Sequence, residues 1–230
     1  MLKASTENEV KRLIYASTSE VYGTAQEVPM TENHPLNPAS PYAASKLAAD
    51  RLCFAYYNTF NTNVTVVRPF NTFGPRQKDS GYASAIPLFI KRVLQGKPPI
   101  IYGDGKQTRD YLYIKDAVDA YLKILASENL SGETVNVGTG RETTITELAR
   151  SIIKLSGQDD IKAVHTSPRP GEVRRLCADA TKIKRACGWK PKYPVEKGLR
   201  EIIQWYRNLQ EDVWLDDTSR FTYGNQDDRL

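Results

Sequence analysis

Three consecutive stretches limit the folds open to this chain: KRLIYAS at 11–17, NPASPYAASKLAADRLCFAYYNTF after it, and NVTVVRPFN at 63–71. The first and last are short apolar runs, the last rich in β-branched residues and closed by a proline that cannot donate to a ladder; both read as buried strands. The middle stretch reads as a helix beginning near Ser40, with Pro41 in its first turn, where a missing N–H costs nothing. Strands separated by a long helix cannot form a hairpin, so the order predicts a parallel βαβ unit and an α/β fold.

The remaining pattern stays α/β. AIPLFIKRVLQG and IKDAVDAYLKILAS have helical periodicity, PPIIYGDG and GETVNVGTG read as strands with turns, and TTITELARSIIKLSG opens on a capping box from Thr144 to Glu147. A last helix, VEKGLREIIQWYRNL, precedes a polar tail from Gln210. At 230 residues the chain can bury one substantial core, or a larger domain plus a smaller lobe. No apolar run approaches the roughly 20 residues of a membrane span, and MLKASTENEVKR has no secretory pattern. Cys53, Cys177 and Cys187 are widely spaced, with no CxxC and only two histidines to complete a metal site. These features predict a reduced, cytoplasmic, metal-free protein. The net charge of +5 comes from dispersed lysines and arginines without a basic block. Isolated arginines suit anionic small molecules better than nucleic acid.

Tyr42 and Lys46 stand at i and i+4 of the predicted helix and share a face. A free phenol titrates near ~10, and an ammonium beside it favours phenolate, so the pair reads as a base with its activator. An exposed tyrosine beside an exposed lysine is the plain alternative. The strand ahead of them ends in hydroxyls and one carboxylate, Thr18, Ser19 and Glu20.

Seven motifs in order, STSEVYG, SPYAASK, VVRPFNTFGPRQ, IYGDGKQTRDYLYIKD, ETVNVGTG, SPRPGEVRRLCAD and GWKPK, resemble the extended short-chain dehydrogenase/reductase family. Within it, the similarity is to NAD-dependent nucleotide-sugar epimerases and dehydratases. The resemblance runs from about residue 4 to 208. It implies NAD as cofactor and a nucleotide-sugar substrate. It implies that Tyr42 removes the C4 hydroxyl proton, Lys46 lowers its pKa and holds the cofactor ribose, Thr18 bonds the same hydroxyl, and Glu20 assists further chemistry. Pro69 joins Tyr42 and Lys46 at the cofactor. Ser19, Asn71 and Arg109 are placed at the substrate, the last two at its diphosphate. Arg169 and Glu172 fall at the nucleoside end, Tyr102 near the base, and Leu176 at a gate for the sugar substituent. A surface salt bridge to Asp110 is the alternative for Arg109.

The family begins with a strand and GxxGxxG, whose amides hold the NAD pyrophosphate. VNVGTGRETTITELA resembles that motif superficially, but its third glycine is absent, and Gly138 and Gly140 read as turn glycines. MLKASTENEV resembles the end of the helix that precedes the strand carrying Thr18. The expected fold is therefore the C-terminal part of a Rossmann-like, doubly wound parallel sheet with a smaller substrate-binding lobe. Residues 1–75 would form the remainder of the Rossmann-like part, 76–208 mainly the lobe, and 209–230 a tail. The missing strands imply a homodimer or association with an N-terminal half. For activity, the resemblance favours 4-epimerisation of a UDP-hexose or UDP-N-acetylhexosamine. GPRQKDSGYASAIP and RPGEVRRLCAD are similar to epimerases that accept N-acetylated sugars. Glu20 leaves 4,6-dehydration or decarboxylation open, although Ser19 stands where dehydratases more often carry aspartate. A non-catalytic fragment, needing a separate NAD-binding half, is the third reading.

Overall fold

The computed structural model describes residues 1–77 and 85–209. The chain opens with helix α1 (Leu2–Glu7), strand β1 (Leu13–Ala16) and a 3₁₀ turn over Ser19–Tyr22. Helix α2 (Pro41–Phe60) follows, then β2 (Val64–Pro69) and a short β3 (Asn71–Phe73). Next come α3 (Ala85–Leu94), β4 (Ile100–Tyr102), β5 (Thr108–Arg109), β6 (Tyr111–Tyr113) and α4 (Ile114–Ala126). The last third holds β7 (Thr134–Val137), β8 (Thr143–Thr144), α5 (Ile145–Leu155), β9 (Val164–Thr166), α6 (Thr181–Cys187) and α7 (Val195–Arg207). The expected tail from 210, and part of GPRQKDSGYASAIP, lie outside the described residues.

The βαβ unit is present. β1 and β2 pair in parallel with Leu13 opposite Val64, and β2 pairs in parallel with β7, giving the order β1-β2-β7. Every β2 residue from Val64 to Arg68 is buried, as a central strand covered on both faces requires. Around the sheet, α4 and α6 close one core with Val67, Val135, Val137 and the fully buried Trp189. A separate core joins α3, α5 and α7 through Ile90, Ile152 and Ile202, next to β6. Smaller pairs complete the structure: β3 with β6 and β4 with β9 in parallel, and β5 with β8 antiparallel.

α2 begins where its capping chemistry dictates. The Ser40 side chain accepts from Ala43 N–H at 3.1 Å, and Pro41 follows in the first turn. The capping box at α5 is also formed, with Thr144 Oγ1 accepting from Glu147 N–H and the Glu147 carboxylate accepting from Thr144 N–H. Gly138 and Gly140 lie in the turn after β7: a Cβ at Gly138 would stand 2.5 Å from that of Ala178, and Gly140 has φ +72°. Among the described residues no helix is long and apolar enough to cross a membrane.

Candidate active site

A cavity of about 640 Å³ opens at the C-terminal ends of β1 and β2, where open α/β sheets hold ligands. The 3₁₀ turn supplies Thr18, Ser19 and Glu20, and the first turn of α2 supplies Tyr42. Pro69 and Asn71 come from the end of β2 and from β3. Arg109, Tyr111, Arg169 and Glu172 form the far wall, with Ile86 and Ile145 among its apolar lining.

Thr18 and Tyr42 are neighbours on the cavity wall, close enough for the Thr18 hydroxyl to favour the Tyr42 phenolate. Thr18 Oγ1 also accepts from Glu20 N–H at 3.3 Å, so the same hydroxyl caps the turn. Partial burial pushes the Tyr42 phenol above its ordinary value, the Thr18 hydroxyl pulls it down, and the Glu20 charge adds to the rise. Lys46 is placed differently from the expectation. Its ammonium lies 2.6 Å from the Ala16 carbonyl and 5.0 Å from the Tyr15 ring centre, and it does not line the cavity. In this arrangement the ammonium is engaged by the Ala16 carbonyl at the end of β1.

Glu20 is largely withdrawn from solvent, which raises its carboxyl pKa, while the Arg109 guanidinium opposes the rise. Arg109 Nη2 stands 3.8 Å from Glu172 Oε1, and Gln107 Nε2 donates to that same oxygen at 3.3 Å. The alternative of an Arg109–Asp110 surface pair fails. Asp110 is fully buried on the opposite side of the strand, where it accepts from the amides of Thr139 at 2.8 Å, Gly140 at 2.9 Å and Ala178 at 3.1 Å. The guanidinium of Arg169 stacks 3.9 Å above the Tyr102 ring, so Tyr102 supports the wall from behind without lining it.

Leu176 is placed elsewhere: fully buried in the core with Val21, Tyr22, Met30 and Phe70, it is not among the residues that line the cavity. The cavity-lining neighbour on that segment is Val173. Sequence reasoning also passed over Gln77, whose buried Oε1, like Oδ1 of Asn71, has no hydrogen-bond partner among the described residues. Nor did it single out Arg68, a charge within the β-branched run of β2, which was itself a signal.

The arrangement gathers a threonine hydroxyl, a phenol, a carboxylate and two guanidinium groups around one cavity. A family model described as GDP-mannose 4,6 dehydratase matches residues 1–202. A putative UDP-glucose 4-epimerase of Methanocaldococcus jannaschii is 36% identical over 209 residues, which cover 90% of this chain and 67% of that protein. The solved UDP-glucose 4-epimerase of Thermotoga maritima, with UDP-glucose, superposes with a TM-score of 0.85 at 35% identity, over 90% of this chain and 66% of that one. The dTDP-glucose 4,6-dehydratase of Bacillus anthracis in complex with NAD gives a TM-score of 0.81 at 36% identity, over 93% and 66%. The chain thus spans about two thirds of the length of these relatives. It belongs to the GDP-mannose 4,6 dehydratase family, among the NAD-dependent epimerases and dehydratases of the short-chain dehydrogenase/reductase group.

Proposed function

We propose that the chain carries the reacting half of a nucleotide-sugar 4-epimerase acting on a UDP-hexose or UDP-N-acetylhexosamine. The observation that carries this reading is one cavity lined by Thr18 and Tyr42 together with Arg109 and Arg169. A diphosphate suits guanidinium forks, and the sugar then extends toward the phenol. Asn71 and Gln77 offer unpaired polar atoms along the way, and Glu172, beside Arg109, can accept ribose hydroxyls.

The donor set fits one end of NAD. Tyr42 and Lys46 provide a hydroxyl and an ammonium near the end of β1, and Pro69 lines the cavity beside them. A glycine-rich pyrophosphate turn is not found among the described residues. When bound, NAD supplies a hydride acceptor. The chain's own part is acid–base: Tyr42 takes the proton from the C4 hydroxyl, and Thr18 holds that hydroxyl in line and stabilises the phenolate.

A second reading, 4,6-dehydration or decarboxylation, is favoured by Glu20, whose raised carboxyl pKa suits proton delivery beyond C4. Residues 1–75 would carry the reacting groups, and much of 76–208 would hold the nucleotide. The order β1-β2-β7 leaves the outer edge of β1 without a strand among the described residues, which supports association with a second copy or a separate NAD-binding half.

NMR of products after incubation with NAD and UDP-glucose, UDP-N-acetylglucosamine or dTDP-glucose tests the reading. Epimerisation is expected to yield the C4 epimer and to survive Glu20→Gln. A 4-keto-6-deoxy product that disappears in Glu20→Gln would transfer the assignment to the dehydratases.

A further inference from the structure

Beneath the cavity, buried polar groups link the elements that carry its reacting residues. Asp50, fully buried two turns along α2 from Tyr42, accepts from Ser17 Oγ at 3.1 Å and from Arg68 Nε at 2.9 Å through one oxygen. Its other oxygen accepts from Arg51 at 3.1 Å. Arg68, 1% exposed within β2, also donates to the Tyr22 hydroxyl at 2.9 Å, which in turn donates to Asn136 Oδ1 at 2.7 Å on β7. Each partner adjoins the site. Ser17 precedes Thr18, Tyr22 closes the turn carrying Glu20, and Arg68 precedes Pro69.

Besides the exposed bond from Lys46 Nζ to the Ala16 carbonyl, Asp50 is the buried polar tie between α2 and the sheet. Of its twenty residues only Ala43, Asp50 and Cys53 are buried, and of these only Asp50 makes directional side-chain bonds to the sheet. Contacts of an alanine and a cysteine tolerate small slides and rotations, whereas a carboxylate shared by a guanidinium and a hydroxyl does not. Buried ion pairs frequently add little stability over apolar residues of the same size, so geometry is the more informative role for this one.

We propose that Asp50 and Arg68 are positioning residues that fix α2 against the end of β1, and so hold the Tyr42 phenol beside Thr18. This placement stands on geometry, and only its effect on turnover rests on the function proposed above.

The test uses the full chain with 3-fluorotyrosine at position 42, titrated by fluorine NMR in native, Asp50→Asn, Ser17→Ala and Thr18→Val backgrounds. The groups around the phenol are Thr18 and Glu20 from the 3₁₀ turn, Tyr15 from β1, Tyr121 from α4 and Lys46 on its own helix. Loss of the Thr18 hydroxyl's influence raises the midpoint. Asp50→Asn and Ser17→Ala are expected to raise it toward that of Thr18→Val, with no further rise on combination with that change. Removing a negative charge through space would instead lower the midpoint, so the sign separates the two effects. A folded Asp50→Asn or Ser17→Ala chain with an unchanged or lowered midpoint would overturn the proposal; if Asp50→Asn does not fold, Ser17→Ala, which keeps every charge, decides. Where the native chain turns over a nucleotide sugar, kcat is expected to fall by up to about 10²-fold in Asp50→Asn at little-changed KM. An inactive native chain would overturn the proposed reaction alone, and the titration still judges the positioning.

Discussion

At Tyr42 the environment and the expected chemistry pull in different directions. Partial burial raises the phenol above its ordinary value, and the neighbouring Thr18 hydroxyl pulls it down. If Tyr42 is the base, kcat/KM rises with pH until the phenol is ionised, and Thr18→Val shifts that rise to higher pH because the stabilised phenolate loses a donor. A pH series of both chains checks the sign. Tyr42→Phe keeps the ring and removes the proton acceptor, so turnover should fall by about 10² to 10⁴ while calorimetry finds nucleotide-sugar binding nearly intact. Tyr42 and Thr18 were legible as a pair because strand end and helix start are local features. Lys46 and Leu176 were not, since rotamer and packing partner depend on residues far along the chain: Lys46 turns to Ala16, thirty residues before it, and Leu176 enters a core with Val21.

Among elements, α2 has the greatest functional consequence, and its first turn is a single cap away from fraying. Ser40→Ala removes the acceptor for Ala43 N–H and should cost about 1 kcal/mol in denaturant unfolding, with a loss of kcat because Tyr42 lies in that turn. The α5 capping box behaves as a pH-linked element. Hydrogen bonds from the Thr144 amide and hydroxyl hold the Glu147 carboxyl below its ordinary value. Its folded value lies below the unfolded one, so its stabilisation is complete above roughly pH 4.3 and fades as pH falls through the folded value. Melting temperatures of the native and Glu147→Ala chains should therefore differ near neutrality and converge in acid. Long periodic helices and the capping box were legible from sequence because they depend on neighbours. The short strands β3, β5, β6, β8 and β9 were not, because each exists through a distant partner, as Asn71 does opposite Tyr111.

For the whole molecule, the described residues contain no glycine-rich pyrophosphate turn and leave the outer edge of β1 without a strand. The 230-residue chain is accordingly expected to bind NAD more weakly than micromolar and to associate with itself or with a partner. Submicromolar calorimetric affinity in a chain that light scattering finds strictly monomeric would contradict both expectations. The sequence by itself determined the βαβ order, the helix carrying Tyr42, the capping box and the family motifs, all of which are written in local periodicity, capping residues and short ordered stretches. Tertiary structure alone decided that Arg109 faces Glu172 while its neighbour Asp110 turns to buried amides. It also decided that Arg68 and Asp50, eighteen residues apart, meet beneath the cavity. The physical reason is that a buried charge adopts whichever partner the folded chain brings within hydrogen-bonding distance, and that distance is set by packing between elements, which no local pattern specifies.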